Sequence, residues 1–257
     1  MKSGAGANQR ALAGAPINAD AYRQVKARLN EFAVRLAQDN QLRLPAEDVL
    51  GEMFGVSRAT IRSALLSLQK EGKLLRFHGR GTFINKYAIR MTTNLSEDRR
   101  FLDLLAGQGF KATDRTLSIN RVRLSEEIAD KLELPSQSDA YAIERLFEAD
   151  GNPAVFSVDY IPLSHLIDDR EAIEPGRSTF DVLARNAGQH VLYSVAELIP
   201  TVPDVVVAEL LKLPVGSATL LLRHVHVNDE QRPIAATDAH INGAFLRFSV
   251  VRRYIDS

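Results

Sequence analysis

The sequence predicts an α+β chain in two parts. Three helices closed by a two-stranded hairpin come first, and a larger domain of antiparallel sheet covered on one side by helices follows. Three observations predict it. Apolar residues recur at helical spacing from residue 19 to Gly72, and strand-like alternation takes over from Thr113 onward. A pattern of helix, Leu-Pro and hairpin occurs twice in the second part, at a spacing near 80 residues. With 257 residues, 45% of them apolar, the chain is long enough to bury a core in each part.

Residues 1–18 are rich in Gly and Ala and hold no apolar stretch of the secretory-signal type, so they read as a disordered tail. A first helix is expected from Asp20, its N-cap, to Asp39, with Tyr22, Val25, Leu29, Phe32 and Leu36 on one stripe. Pro45 opens a short second helix carrying Val49, Leu50, Met53 and Phe54, and Gly55 ends it. Ser57 is placed to cap the third helix, whose Ile61, Ala64, Leu65 and Leu68 share a face and whose end is Gly72. "KLLRF" and "TFIN" flank "HGRG" as a hairpin. This first domain spans 19–86, a polar linker 87–95, and the second domain 96–257.

The second domain is expected to open with a helix over Arg99–Gln108. Strands follow at 113–122, 140–149, 154–161, 191–199, 218–227, 234–241 and 245–254. In the repeat, Leu134-Pro135 matches Leu213-Pro214, Arg145 matches Arg223, Pro153 matches Pro233, Ser157 matches Thr237 and Ile161 matches Ile241. Two such units, each with one apolar sheet face, bury those faces by joining one sheet.

The chain has no cysteine, which excludes disulfides and thiolate chemistry and points to a reducing cytoplasm. No apolar run approaches the length of a membrane span, so no membrane partner is expected. Net charge is zero but unevenly spread: residues 1–90 hold 15 Lys and Arg against 7 Asp and Glu, and the remainder holds 17 against 25. A basic first part is the electrostatic footprint of a nucleic-acid-binding end.

Within that part, Arg58 and Arg62 lie one turn apart on the third helix, opposite its apolar arc and beside small Ala59 and Ser63. The "FGVS" connection between the second and third helices is a turn of the helix-turn-helix type. It projects the third helix outward, where it fits a DNA major groove about 12 Å wide. An arginine fork matches guanine O6/N7 or two phosphate oxygens. The hairpin tip, with His78 and Arg80 between glycines, suits a minor-groove edge or a phosphate row.

Residues 44–84, "LPAEDVLGEMFGVSRATIRSALLSLQKEGKLLRFHGRGTFI", resemble the winged helix-turn-helix of GntR-family transcription regulators. That resemblance covers residues 20–85, and nearly all of 95–255, with "RLFEADGNPAVFSVDYIP" and "LRFSVVRR", resembles the UTRA effector domain of the HutC subfamily, which has a chorismate-lyase-like fold. The resemblance implies DNA contacts from Ser57, Arg58, Thr60, Arg62, His78, Gly79 and Arg80. It implies an effector pocket on the sheet, for which Arg145, Ser157, Asp159, Tyr160 and Glu197 are the candidates. There are departures. Ala46 stands where the family has a capping Ser, and Asp48 where it has an Arg that often touches DNA. Phe147 replaces the second arginine of an R-x-R pair that holds anionic groups, and Asp159 replaces Ser or Thr. One cation fewer and one anion more favour a neutral polar, amino-bearing or partly apolar ligand over a sugar phosphate.

Other patterns carry less. His224 and His226 sit two apart but have no third ligand nearby in sequence, so a structural role is expected for them and no metal. Asp168, Asp169 and Glu171 read as a solvated acidic loop. Ser157, Asp159 and His240 hold the residue types of a catalytic triad, but no GxSxG nucleophile elbow accompanies them. The sequence therefore predicts a ligand-responsive repressor with no cofactor, binding a pseudo-palindromic operator as a homodimer. The rival is a small-molecule enzyme of chorismate-lyase-like fold with an accessory DNA-binding module.

Overall fold

A computed structural model describes residues 19–91, 93, 95, 99–168 and 173–252. Expectations for the tail at 1–18, for Asp169 and Glu171, and for Tyr254 lie outside them. The chain divides into two compact units, between Asn94 and Leu95 and again between Phe248 and Ser249, so that the chain end belongs with the first unit.

The first unit holds α1 (Ala19–Gln38), α2 (Glu47–Phe54), α3 (Arg58–Lys70) and the hairpin β1 (Leu74–Phe77) and β2 (Gly81–Ile84). Asp20 lies inside α1 rather than capping it, because the helix already includes Ala19. Val25, Leu29 and Ala33 of α1 meet Leu50, Ile61, Ala64, Leu65 and Leu68 in one core. The N-cap of α2 is Ala46, which makes no side-chain bond, whereas Ser57 Oγ accepts the Thr60 N–H at 3.2 Å at the start of α3. Gly55 stands in the left-handed region that closes α2. The wing is broader than two strands: Arg43 bridges Phe83, with Leu44 N donating to Thr82 O and Ile84 N to Leu42 O. Lys73 belongs to the interior side, because it and Lys26 both pair with buried Glu71, at 3.2 and 2.6 Å.

Gly72, after α3, has φ +75°, and an added Cβ would come within 2.5 Å of the Val251 side chain. The returning chain end packs there, and Ser249 N donates to Thr93 O at 2.9 Å. Of the strand expected over 245–254, the described part, residues 245–252, is not formed as a strand. Asn242 instead anchors a turn that sends Phe245, Leu246 and Phe248 onto the apolar cluster of the second unit.

The second unit is one antiparallel sheet in the order β3-β4-β5-β8-β7-β6. Its strands are β3 (Ala112–Arg123), β4 (Asp139–Ala149), β5 (Asn152–Pro162), β6 (Tyr193–Thr201), β7 (Thr219–Val227) and β8 (Pro233–Ile241). The helices are α4 (Phe101–Gly107), α5 (Glu126–Lys131), α6 (Thr179–Asn186) and α7 (Val205–Leu210). The strand order is its own mirror about the β5–β8 pair, as a duplication requires. The repeat also extends to details. Side-chain caps recur at Ser125 and Asp204, and positive φ recurs at Glu133 and Lys212. A register shift follows Phe147 in one hairpin and His226 in the other.

Two expectations are corrected by this sheet. Helices cover both faces, with α5 and α7 on one and α4 and α6 on the other. Residues alternate between faces, so Ala140 and Leu146 of β4 meet α5 and α7, while Ile143 and Phe147 meet α6 and α4. Arg145 and Arg223 are not equivalent. Their cross-strand partners, Ser157 and Asp238, put them on opposite faces, and the true counterpart of Arg145 is His224.

Candidate nucleic-acid interface and effector cavity

On α3 the apolar arc is buried and the opposite arc is bare. Arg58, Ala59, Arg62, Ser63, Leu66 and Lys70 are exposed. The arc is made by helix periodicity and kept outward by the packing of Ile61, Leu65 and Leu68. Thr60 departs from its expected neighbours. It is 7% exposed, and its hydroxyl lies 2.8 Å from Ser57 Oγ, so it serves the helix cap. At the wing tip His78, Gly79 and Arg80 are exposed. Gly79 has φ +69°, which lets the turn close, and the Arg80 guanidinium lies 5.7 Å from the Phe77 ring. Arg58 is held by α2, with Nε donating to Glu47 Oε2 at 3.2 Å and NH1 3.2 Å from Asp48 Oδ1. Arg76 of β1 reaches the other Glu47 oxygen at 3.7 Å.

In the second unit, a cavity of about 150 Å³ opens on the sheet face covered by α4 and α6. Its floor is a hydrogen-bonded chain across five strands. Thr237 Oγ1 donates to Asp159 Oδ1 at 2.6 Å, and Asp159 Oδ2 takes the Arg145 guanidinium. Having spent its one proton on Asp159, Thr237 accepts from His226 Nε2–H at 3.0 Å, and Nδ1 of the ring faces the Ser194 hydroxyl at 2.6 Å. Arg145 also donates to Thr179 Oγ1 at 2.8 Å and to the Arg177 carbonyl, binding β4 to the start of α6. Arg145 and Asp159 are each 3% exposed and Ser157 1%. The walls are rings: Phe101 packs edge-on against Phe147 and stacks on His224, and Phe180 meets His226 at 5.6 Å. At the rim stand Arg99, Arg100, Asp114 and Asp181. A hydrogen bond from the Ser178 hydroxyl, first, holds the Asp181 carboxyl below its ordinary value, so it is charged at the N-terminus of α6.

Arg145, Ser157 and Asp159 thus come together, and Tyr160 and Glu197 do not. Tyr160 points to the α5 side, packed by Leu124 and Ile128, where burial and then Asp238 push its phenol up. Glu197 accepts from Lys131 of α5 at 2.8 Å, which lowers its pKa. That face is tied by Arg223, which holds Asp238 with two bonds of 2.6 and 2.7 Å and also Glu127. His240 shares this face, across the sheet from Ser157 and Asp159, so the triad does not assemble. Sequence reading missed Phe101, Thr179, Phe180, His226 and Thr237 as cavity residues. The duplication held the signal for two of them. Carried over in the structural register, Phe147 points to His226 and Ser157 to Thr237.

Comparison with known proteins places both units. Residues 21–84 match the family model "Bacterial regulatory proteins, gntR family", and residues 107–246 match the UTRA domain. The chain belongs to the GntR family. This regulator is 30% identical over 201 residues to GgaR, an HTH-type transcriptional regulator of Escherichia coli K12, covering 77% of each chain. It is 25% identical over 240 residues to a probable fructoselysine utilization operon transcriptional repressor of the same strain, covering 92% of this chain and 94% of that one. Its fold is that of a possible transcriptional regulator, YydK of Bacillus subtilis, at TM-score 0.66 and 19% identity over 90% of this chain and 99% of that one. PhnF of Mycobacterium smegmatis aligns at TM-score 0.56 and 22% identity over 89% and 99%. The GntR-family protein is therefore a transcriptional regulator, with a DNA-binding first unit and a UTRA effector domain as its second.

Proposed function

We propose that this regulator is a repressor that binds a pseudo-palindromic duplex as a homodimer, through α3 and the wing, and is released or recruited by a small metabolite in the α4–α6 cavity. One winged helix reaches a single half-site, so a two-fold dimer and paired half-sites go together. The observation that carries the reading is the bare arc of α3. Arg58 and Arg62 are exposed beside Ala59 and Ser63, which lets the helix backbone approach a groove. An enzymatic role lacks support from the relatives, which are named as transcriptional regulators and repressors.

The effector class follows from the cavity. Arg99, Arg100 and Arg145 face Asp114, Asp159 and Asp181, so the lining is formally neutral. The one buried guanidinium is already matched by Asp159. A phosphate entering here would face that carboxylate, whereas an uncharged or zwitterionic compound with a flat apolar part would meet the ring walls. The volume is below the ~300–1,000 Å³ of sites for drug-sized ligands, which favours a ligand about the size of one ring.

A thermal-shift screen of metabolites sorted by charge, followed by DNA titration with each hit, tests the reading. Ligand at one hundred times its dissociation constant adds about 2.7 kcal/mol. Hits are expected among neutral and zwitterionic ring compounds, and each is expected to change operator affinity. Stabilisation by sugar phosphates, or hits that leave DNA binding untouched, would contradict it.

A further inference from the structure

The acidic start of α2 is joined to the cationic start of α3. Glu47 is the hub: its side chain is only 17% exposed, one oxygen takes Arg58 Nε at 3.2 Å, and the other faces Arg76 of the wing at 3.7 Å. Asp48 takes Arg58 NH1 from the next position, also at 3.2 Å, with a side chain 66% exposed. Glu47 and Asp48 suit the positive end of α2, which Ala46 leaves without a side-chain cap, whereas Arg58 puts a cation at the positive end of α3. Surface ion pairs of this kind add little stability. Their effect is geometric.

An arginine has five N–H donors. Glu47 takes the one on Nε, and Asp48 faces NH1 as an ion pair at 3.2 Å, so the N–H groups of NH1 and NH2 stay available. Those suffice for the bidentate contact to guanine O6 and N7. With two sides of the fork occupied, Arg58 has less freedom to swing onto the nearest phosphate. Asp48 itself repels phosphate, so a duplex is not gripped here by its backbone alone.

We infer that Glu47 and Asp48 are specificity-determining positioning residues, which fix Arg58 as a guanine reader and weaken sequence-independent binding. The inference rests on the proposed duplex-binding role of α3. It predicts that loss of the Asp48 charge strengthens binding to the wrong DNA while relaxing the choice of the right one.

The test uses the full chain. A duplex is enriched from a randomised pool with the wild-type protein. Its dissociation constant, and that of a scrambled duplex of equal length, are measured by fluorescence anisotropy between about 50 and 200 mM KCl. Asp48→Asn, Arg58→Ala and Arg62→Ala are compared with wild type, with thermal melts to confirm folding. Asp48→Asn is expected to bind the scrambled duplex more tightly, to steepen the log–log salt dependence by about one per head, and to lower the specificity ratio about tenfold. The penalty for replacing one particular G·C pair is expected to vanish in Arg58→Ala and to shrink in Asp48→Asn. An unchanged ratio in Asp48→Asn, with both duplexes bound more tightly alike, would overturn the inference while leaving the DNA-binding reading intact. Failure of the wild type to enrich any sequence, or indifference to Arg62→Ala, would overturn that reading instead.

Discussion

Arg58 in the first unit and Arg145 in the second are both held by carboxylates, yet they are held for opposite ends. Arg58 keeps 64% of its side chain in water while Glu47 and Asp48 steer it, so its charge stays available to a partner. Arg145 is buried, and Asp159 cancels its charge where it lies. The same ion pair thus means different things in different dielectrics. At the surface it orients a group at little energetic cost. In the interior it makes a charged pair tolerable only while both partners remain. One unit presents charge, and the other hides it.

The sharpest way to break the comparison is to remove one carboxylate from the buried pair. Asp159→Ala leaves Arg145 unmatched and strips Thr237 of its acceptor, and a loss of about 3–5 kcal/mol in a urea or thermal melt is expected. The paired replacement Arg145→Met with Asp159→Leu is expected to recover most of that stability while changing which ligands bind. Equal destabilisation by the single and double variants would mean that the pair is not the relevant unit. In the first unit, Ser57→Ala removes the acceptor for the Thr60 N–H and is expected to cost about 1 kcal/mol. Denaturation curves check it, and an unchanged midpoint would show that the cap is idle. The smallest effect concerns His240. Burial, first, holds its pKa below the ordinary 6.5, against a smaller opposing pull from Asp238. The unfolded chain then binds more protons than the native one between that lowered value and 6.5. This contribution is therefore present above 6.5 and lost as pH falls through the window. The stability of His240→Phe is expected to vary less with pH across it.

The two units also differ in how far they could be read from sequence. The first is built from local signals. Ser57, Gly55, Gly72 and the glycines of "HGRG" each act within a few residues of themselves, so element order and the bare arc of α3 were legible. The ion pairs of Glu47 were not, because they join three elements. In the second unit, alternation marked six of the strands, but the cavity depends on face. A one-residue slip in the repeat exchanges His224 for Arg223 and turns the residue to the other side of the sheet. The eight-residue α6 supplies Thr179 and Phe180, and it was missed because two turns give too short an apolar period. Tyr160 and Glu197 fall on the other parity of their strands and so on the other face of the sheet from Arg145, Ser157 and Asp159, which residue type alone does not reveal.

The central claim is that the exposed cationic arc of α3 reads a duplex. The most direct test is a titration of an enriched operator duplex with wild type and Arg62→Ala, since Arg62 is exposed and holds no carboxylate among the described residues. Loss of about 1–3 kcal/mol of specific binding, with the thermal midpoint unchanged, is the predicted result. Full specific affinity in a folded Arg62→Ala protein would contradict it.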